Sequence, residues 1–178
     1  MDLKTDIMKR FFLILAAVLV SLQICAQNNK PARAELAIGS PMPQFTIESS
    51  VYGKITSADL KGKVVLINLF ATWCPPCQKE LAEVQQVLWP KYKDNANFKM
   101  LVLGREHTDD VLKKYNQKKG FTFPLYPDPS RGVFSKFADQ TIPRTYLYGK
   151  DGKLIYSAIG YSPEEFAKLM EAIEVALK

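Results

Sequence analysis

Two cysteines three residues apart, Cys74-Pro75-Pro76-Cys77, are the residues of this 178-residue chain whose type and spacing best suit chemistry. A C-x-x-C pair can be a static disulfide, half of a metal site or a redox couple. A static bridge closing so short a loop restrains the unfolded chain little, so stability is a poor reason to have one. A tetrahedral zinc site needs three or four protein ligands, and beyond the pair only His107, the single histidine, offers itself. The redox reading therefore leads, with no metal expected and the disulfide itself as the only redox group.

The third cysteine, Cys25, belongs to a different kind of segment. Lys9 and Arg10 precede the apolar run Phe11 to Val20, and a weakly polar stretch follows, ending in Ile24-Cys25-Ala26. That order predicts a secretory signal peptide over residues 1–26, with Met8 a second plausible start and cleavage after the small Ala26. The run is half of what a spanning helix needs. A lipoprotein anchored at Cys25 is the alternative, although Ile24 is large where such sites favour small residues. Export to the periplasm is the expectation, and cleavage leaves Cys74 and Cys77 as the only cysteines.

The composition fits one domain behind such a signal. Hydrophobic residues make up 47% and charged residues 24%, which excludes a disordered tail or a multispan membrane protein. The net charge of +6 is spread along the chain without a run of five basic residues, so no nucleic-acid partner is expected. Residues 27–43 read as a linker ending in Ser40-Pro41-Met42-Pro43, and residues 44–178 as the folded domain.

The elements that must position the cysteines can be read from periodicity. Phe45, Ile47 and Val51 alternate with polar residues before a turn at Tyr52-Gly53-Lys54, predicting an N-terminal β-hairpin. Lys63 to Phe70 is an apolar run suited to a strand buried on both faces, and it leads straight into the cysteines. From Pro75 the spacing turns helical, with Leu81, Val84 and Leu88 on one stripe. A strand over 98–103, a helix over 109–119, a strand over 123–126 and a short helix over 131–137 follow. Two strands, 144–148 and 153–159, flank the turn Gly149-Lys150-Asp151-Gly152. Ser162, Pro163 and Glu165 then start a helix with Phe166, Leu169, Met170, Ile173 and Leu177 on its apolar face.

A strand ending at Phe70 and a helix beginning near Cys74 put that sulfur at a helix N-terminus, where unpaired N–H groups and the macrodipole favour the thiolate. Cys74 is thus the expected nucleophile. Cys77, one turn along on the same face, can attack a mixed disulfide and is the expected resolving thiol. Pro76 suits the first helical turn, where its missing donor would go unpaired.

The motif Ala71-Thr72-Trp73-Cys74-Pro75-Pro76-Cys77 after a buried strand, with Ile142-Pro143 ahead of a hairpin, resembles the thioredoxin superfamily over about residues 39 to 177. It is most similar to the exported TlpA/ResA-like branch. The resemblance implies an α/β thioredoxin-like fold: a central mixed sheet flanked by helices, with an N-terminal β-hairpin and a central αβ insert. It implies a thiol-disulfide oxidoreductase, on the side of a protein-disulfide reductant, with protein disulfides or thiols as substrates, apocytochrome c among them, and a membrane-embedded electron donor. Pro143 resembles the superfamily's cis-proline, leaving the backbone of Ile142 to pair with an extended substrate, and Trp73 would flank the dithiol as an exposed platform unless it is core. Trp73, Pro76, Ile142 and Pro143 are the implied substrate-binding residues. Glu80 matches an acid in the ResA-like C-x-x-C-x-x-E pattern and is the implied proton-handling group, against a plain role as a first-turn glutamate. Asn68 stands where thioredoxin has a buried acid.

His107 reads as a solvated loop residue, the Lys113-Lys114 and Lys118-Lys119 pairs as the wet face of a helix, and Met100 and Met170 as core. A noncatalytic binding domain and a peroxiredoxin-like enzyme are the rival functions. The latter needs a P-x-x-x-T-x-x-C stretch that the residues ahead of Cys74 do not supply.

Overall fold

The structure, a computed structural model, describes residues 35–178. The segment read as a signal peptide, Cys25 and the first residues of the expected linker lie outside the described residues. Strands β1 (Thr46–Ser49) and β2 (Gly53–Thr56) pair antiparallel as a separate small sheet. The hairpin turns earlier than the sequence suggests, because Ser49 Oγ accepts the N–H groups of both Val51 and Tyr52. Val51 therefore sits exposed at the tip, and Asp109 grips that tip through Ser49 and Ser50.

Every side chain of β3 (Val64–Phe70) is buried, and the strand's period of two divides them between two cores. Val64, Leu66 and Phe70 join one core with Leu81, Val84 and Leu88 from the helix after the cysteines and Phe166, Leu169 and Ile173 from the last helix. Val65, Ile67 and Leu69 join the other, with Phe45, Ile47, Phe134 and Phe137. Asn68 shares its parity with Leu66 and Phe70, so it faces the helix that carries the cysteines.

That helix, α1 (Pro75–Glu83), runs into a π-helical turn at Val84–Leu88 and then α2 (Trp89–Tyr92). Pro90 lacks the N–H a regular helix would use there, and the wider turn carries the chain past it. Strand β4 (Phe98–Arg105) extends two residues beyond the expected end, through Gly104. Glycine is required there because a Cβ would lie 2.7 Å from Leu112 Cδ2. Helix α3 (Asp109–Lys119) has the predicted bounds, with Thr108 as its cap. Strand β5 (Leu125–Asp128) is shifted two residues from expectation and includes Pro127; it is an edge strand, where proline can face away from the ladder.

The short helix α4 (Phe134–Phe137) starts later than predicted, since Arg131 has φ 58° and the Asp128 carboxylate accepts the N–H groups of Val133 and Phe134. Strands β6 (Arg144–Tyr148) and β7 (Leu154–Ile159) complete a mixed sheet in the order β5-β4-β3-β6-β7, with β3, β4 and β5 parallel and β6 and β7 antiparallel. Helix α5 (Pro163–Leu177) is capped by Ser162, whose Oγ accepts the Glu165 N–H. This is a thioredoxin-like fold with an N-terminal hairpin and a helix and strand, α3 and β5, inserted after β4. Within the stretch read as linker, Gly39 and Ser40 hydrogen-bond to Leu154 at the start of β7. Among the described residues no helix is long and apolar enough to cross a membrane.

Candidate active site

Strand β3 ends at Phe70, and Ala71-Thr72-Trp73 carry the chain to Cys74, the N-cap of α1. Cys74 and Cys77 are joined in a disulfide with their Cα atoms 5.3 Å apart. Cys74 Sγ also accepts the Cys77 N–H at 3.3 Å, so one of the helix's unpaired donors points at the expected nucleophilic sulfur. Cys77 is 0% exposed and Cys74 3%; of the two, only Cys74 touches solvent. Pro75 and Pro76 occupy the first helical turn and are exposed. Trp73 is 61% exposed, which excludes the alternative that it is core.

Glu80 lies one turn beyond Cys77 on the inner face of α1 and is only 4% exposed, so it is no surface first-turn glutamate. Its Oε1 accepts the Thr145 hydroxyl at 2.7 Å, and Thr145 Oγ1 accepts from Asn68 Nδ2 at 3.1 Å. Glu80 Oε2 and Asn68 Oδ1 are buried without a hydrogen-bond partner. Burial is the largest influence on Glu80 and raises its pKa, with the neighbouring Asn68 amide and the Thr145 hydroxyl opposing it. A carboxyl whose pKa burial raises, one helical turn from Cys77, is a better proton acceptor than an exposed one and can return the proton it takes. A narrow cleft of about 10 Å³ reaches Glu80 between Thr145, Tyr156, Gly160 and Tyr161, room for about one water.

Thr145 was not legible as a site residue. It follows Arg144 in a strand that goes on as Tyr146-Leu147-Tyr148, and it pairs in register with Asn68 across the β3–β6 ladder.

The Ile142–Pro143 peptide bond is cis. Ile142 packs against the core that includes Cys74 and Cys77, and the Pro143 carbonyl accepts the Gly160 N–H. The β3–β6 pairing thus carries this loop to the end of the sheet where β3 delivers the cysteines.

His107 corrects the sequence reading. It is 7% exposed, and its Nε2 accepts the Thr72 N–H at 2.9 Å. Among the described residues no three His, Cys, Asp or Glu side chains are grouped to hold a metal ion. A surface groove of about 620 Å³ between the β6–β7 turn and α5 contains none of these residues.

A C-x-x-C disulfide at a helix N-terminus, on a five-stranded sheet of this topology, defines a dithiol–disulfide protein of thioredoxin-like fold. The chain belongs to the AhpC/TSA family, whose model matches residues 38–157. It is 32% identical over 133 residues to the thiol-disulfide oxidoreductase ResA of Bacillus anthracis, covering 75% of this chain and 76% of that protein. With ResA of Halalkalibacterium halodurans it shares 26% identity over 174 residues, 95% of this chain and 98% of the other. The solution structure of a putative protein disulfide isomerase from Bacteroides thetaiotaomicron superposes with a TM-score of 0.76 at 34% identity, covering 80% of this chain and 91% of that one.

Proposed function

We propose that this thiol-disulfide oxidoreductase is a reductant of protein disulfides that works outside the cytoplasm. The carrying observation is the Cys74–Cys77 pair closed at the N-terminus of α1, with the buried carboxyl of Glu80 one turn behind it. The ResA relatives support the activity.

In the reduced protein the Cys74 thiolate attacks a client disulfide, forming a mixed disulfide and releasing one client thiolate. Cys77 gives its proton to Glu80 and attacks Cys74 Sγ, which closes the Cys74–Cys77 bond and releases the second client sulfur as a thiolate that takes up a proton from Glu80 or water. Two electrons pass from the dithiol to the client. Trp73, Pro76, Ile142 and Pro143 form the surface against which an extended client lies. A membrane-embedded donor returns two electrons and restores the dithiol, so no bound cofactor is needed. Apocytochrome c is the proposed client, which places the protein in cytochrome c maturation. Export by the 1–26 signal, with the mature chain starting at Gln27, gives a periplasmic enzyme; mass spectrometry finding a diacylglyceryl group on Cys25 would replace cleavage with lipid anchoring.

Equilibration with glutathione tests the direction of electron flow. Dithiol proteins of this kind span about −270 mV for a reductant to about −120 mV for a strong oxidant. A midpoint near the reducing end, with reduction of insulin disulfides that Cys74→Ser abolishes, is the expected result. A midpoint near the oxidising end overturns the reductant reading, and activity surviving Cys74→Ser overturns the mechanism.

A further inference from the structure

The backbone of Thr72, two residues before the nucleophile, is held at both polar groups by side chains. Its N–H donates to His107 Nε2 at 2.9 Å. Its carbonyl accepts from Gln78 Nε2 at 3.0 Å, and Gln78 Oε1 in turn accepts from Lys119 Nζ at 2.7 Å. Loop backbone usually satisfies itself with water or turns. Here one partner comes from the β4–α3 connection and the other is braced by the end of α3, so α3 and the loop before it clamp the turn that carries the cysteines.

We propose that His107, as a neutral imidazole, is a positioning residue for dithiol exchange: by accepting the Thr72 N–H it fixes the turn that presents Trp73 and Cys74 to a client disulfide. The inference rests on the exchange reaction proposed for Cys74 and Cys77.

The surroundings of His107 are built around that bond. Its own N–H donates to the Gly104 carbonyl, and its carbonyl accepts the Asp128 N–H. Gly104 is the residue the imidazole covers: a Cβ there would meet His107 Cβ and Cδ2 at 3.2 Å. Glu106, just before it, holds φ 61°, a left-handed conformation that a residue with a Cβ adopts only when its surroundings enforce it. The ring edge lies against Phe70, the last residue of β3, with centroids 6.4 Å apart. A side chain needed only to fill space would not require this arrangement of backbone, glycine and ring.

Because Nε2 accepts, the neutral ring must carry its proton on Nδ1, and the Glu106 backbone carbonyl is there to receive it. A second proton on Nε2 would oppose a donor to a donor and break the bond to Thr72. The charged groups around the ring are already engaged. Asp128 of β5 accepts from Val133 and Phe134, Asp109 of α3 accepts from Ser49 and Ser50, and Glu106 faces Arg105 and Arg131. Tyr115 of α3 lies on Phe70, and its hydroxyl is kept neutral by burial. Burial likewise holds His107 below the usual histidine range, so the acceptor form is the one present at neutral pH.

Wild type, His107→Leu and His107→Gln decide the matter. The readouts are hydrogen exchange of the Thr72 amide, imidazole nitrogen NMR, and the rate of reaction of the reduced protein with a small aromatic disulfide, scaled to the thiolate fraction at each pH. In wild type the NMR should show Nδ1 protonated and Nε2 free of a proton, and the scaled rate should fall as the ring titrates. His107→Leu should lose Thr72 amide protection and react about three- to tenfold slower at pH 7, the loss of one hydrogen bond. His107→Gln, whose carbonyl can reach the same N–H but does not titrate, should restore most of that rate and remove its fall in acid.

A protonated Nε2 in wild type at pH 7, or His107→Leu reacting at the wild-type rate, overturns the proposal. If His107→Leu does not fold, a wild-type acid profile in His107→Gln overturns it equally. A wild-type protein that exchanges no disulfides sinks the oxidoreductase reading instead, while Thr72 amide protection still reports whether His107 holds the turn.

Discussion

Thr145 stands directly across the β3–β6 ladder from Asn68, accepts its amide and donates its own hydroxyl to Glu80 Oε1 at 2.7 Å. One hydroxyl on the strand that follows Pro143 therefore ties that strand, the centre of the sheet and the carboxyl behind the cysteines together. Thr145→Val keeps the shape and removes the bridge. It should cost about 1–3 kcal/mol, because Glu80 loses its donor and Asn68 its acceptor in a buried place. Losing a donor to the carboxylate also raises the Glu80 pKa further, so the pH at which mixed disulfides are resolved most efficiently should move upward. Urea unfolding reads the first effect and stopped-flow exchange across pH the second; a profile unchanged in Thr145→Val would detach Glu80 from resolution.

Two buried titratable groups give folding stability a pH dependence of opposite slopes. Burial raises Glu80 above 4.5, so the folded protein keeps a proton that the unfolded chain releases; that stabilisation is complete below about pH 4.5 and is lost as pH rises through the folded value. Burial lowers His107 below 6.5, so the unfolded chain takes up a proton first; its stabilisation is complete above about pH 6.5 and is lost as pH falls toward the folded value. Glu80→Gln removes only the first slope. The stability of Glu80→Gln relative to wild type should therefore grow with pH from 4.5 upward, and a pH-independent difference would mean that Glu80 carries no shifted proton. The same variant should resolve mixed disulfides more slowly near neutral pH, since the base is gone.

Cys77 is fully enclosed while Cys74 retains contact with solvent, so a client should meet the two in a fixed order. Cys77→Ser should accumulate a covalent client adduct through Cys74, visible by intact mass and reversed by dithiothreitol. Cys74→Ser should accumulate none. Adducts of equal yield in the two variants would reverse or erase the assigned roles.

Gly104 faces Leu112 of α3 and the ring of His107 with no room for a methyl group. Gly104→Ala should destabilise the fold by about 1–3 kcal/mol through overpacking. It should also loosen the Thr72 turn, reporting as faster Thr72 amide exchange alongside a lower melting temperature. Wild-type values of both would show that α3 yields there at no cost.

The elements themselves were legible wherever a period ran long enough. The buried run of β3, the stripe of α1 and the Ser162-Pro163-Glu165 start of α5 are local signals, and the structure follows them. The misplacements sit where tertiary context decides. Pro127 joins β5 because that strand is an edge, and α4 waits for Phe134 because Asp128 caps it there. At the site, the cysteines announce themselves by spacing. Thr145 and His107 do not, because their importance lies in partners 65 and 35 residues away, and a lone threonine or histidine carries no sign of which distant backbone or carboxyl it will meet. Trp73 and Glu80 fell between: their neighbourhood was readable, their exposure only after folding.

Each border of the main sheet is blunted against strand addition at one end or one residue. Pro127 presents no N–H in β5, and at the start of β7 the N–H and carbonyl of Leu154 are taken by Ser40 and Gly39, with Pro41 bridging Lys153. Exposed sheet borders invite pairing between copies of a chain, and a proline or a crossing segment at the border interrupts it. With its lateral edges blunted at these points, the sheet offers less backbone for copies of the chain to pair with, which should lower the tendency of concentrated solutions to form edge-to-edge polymers.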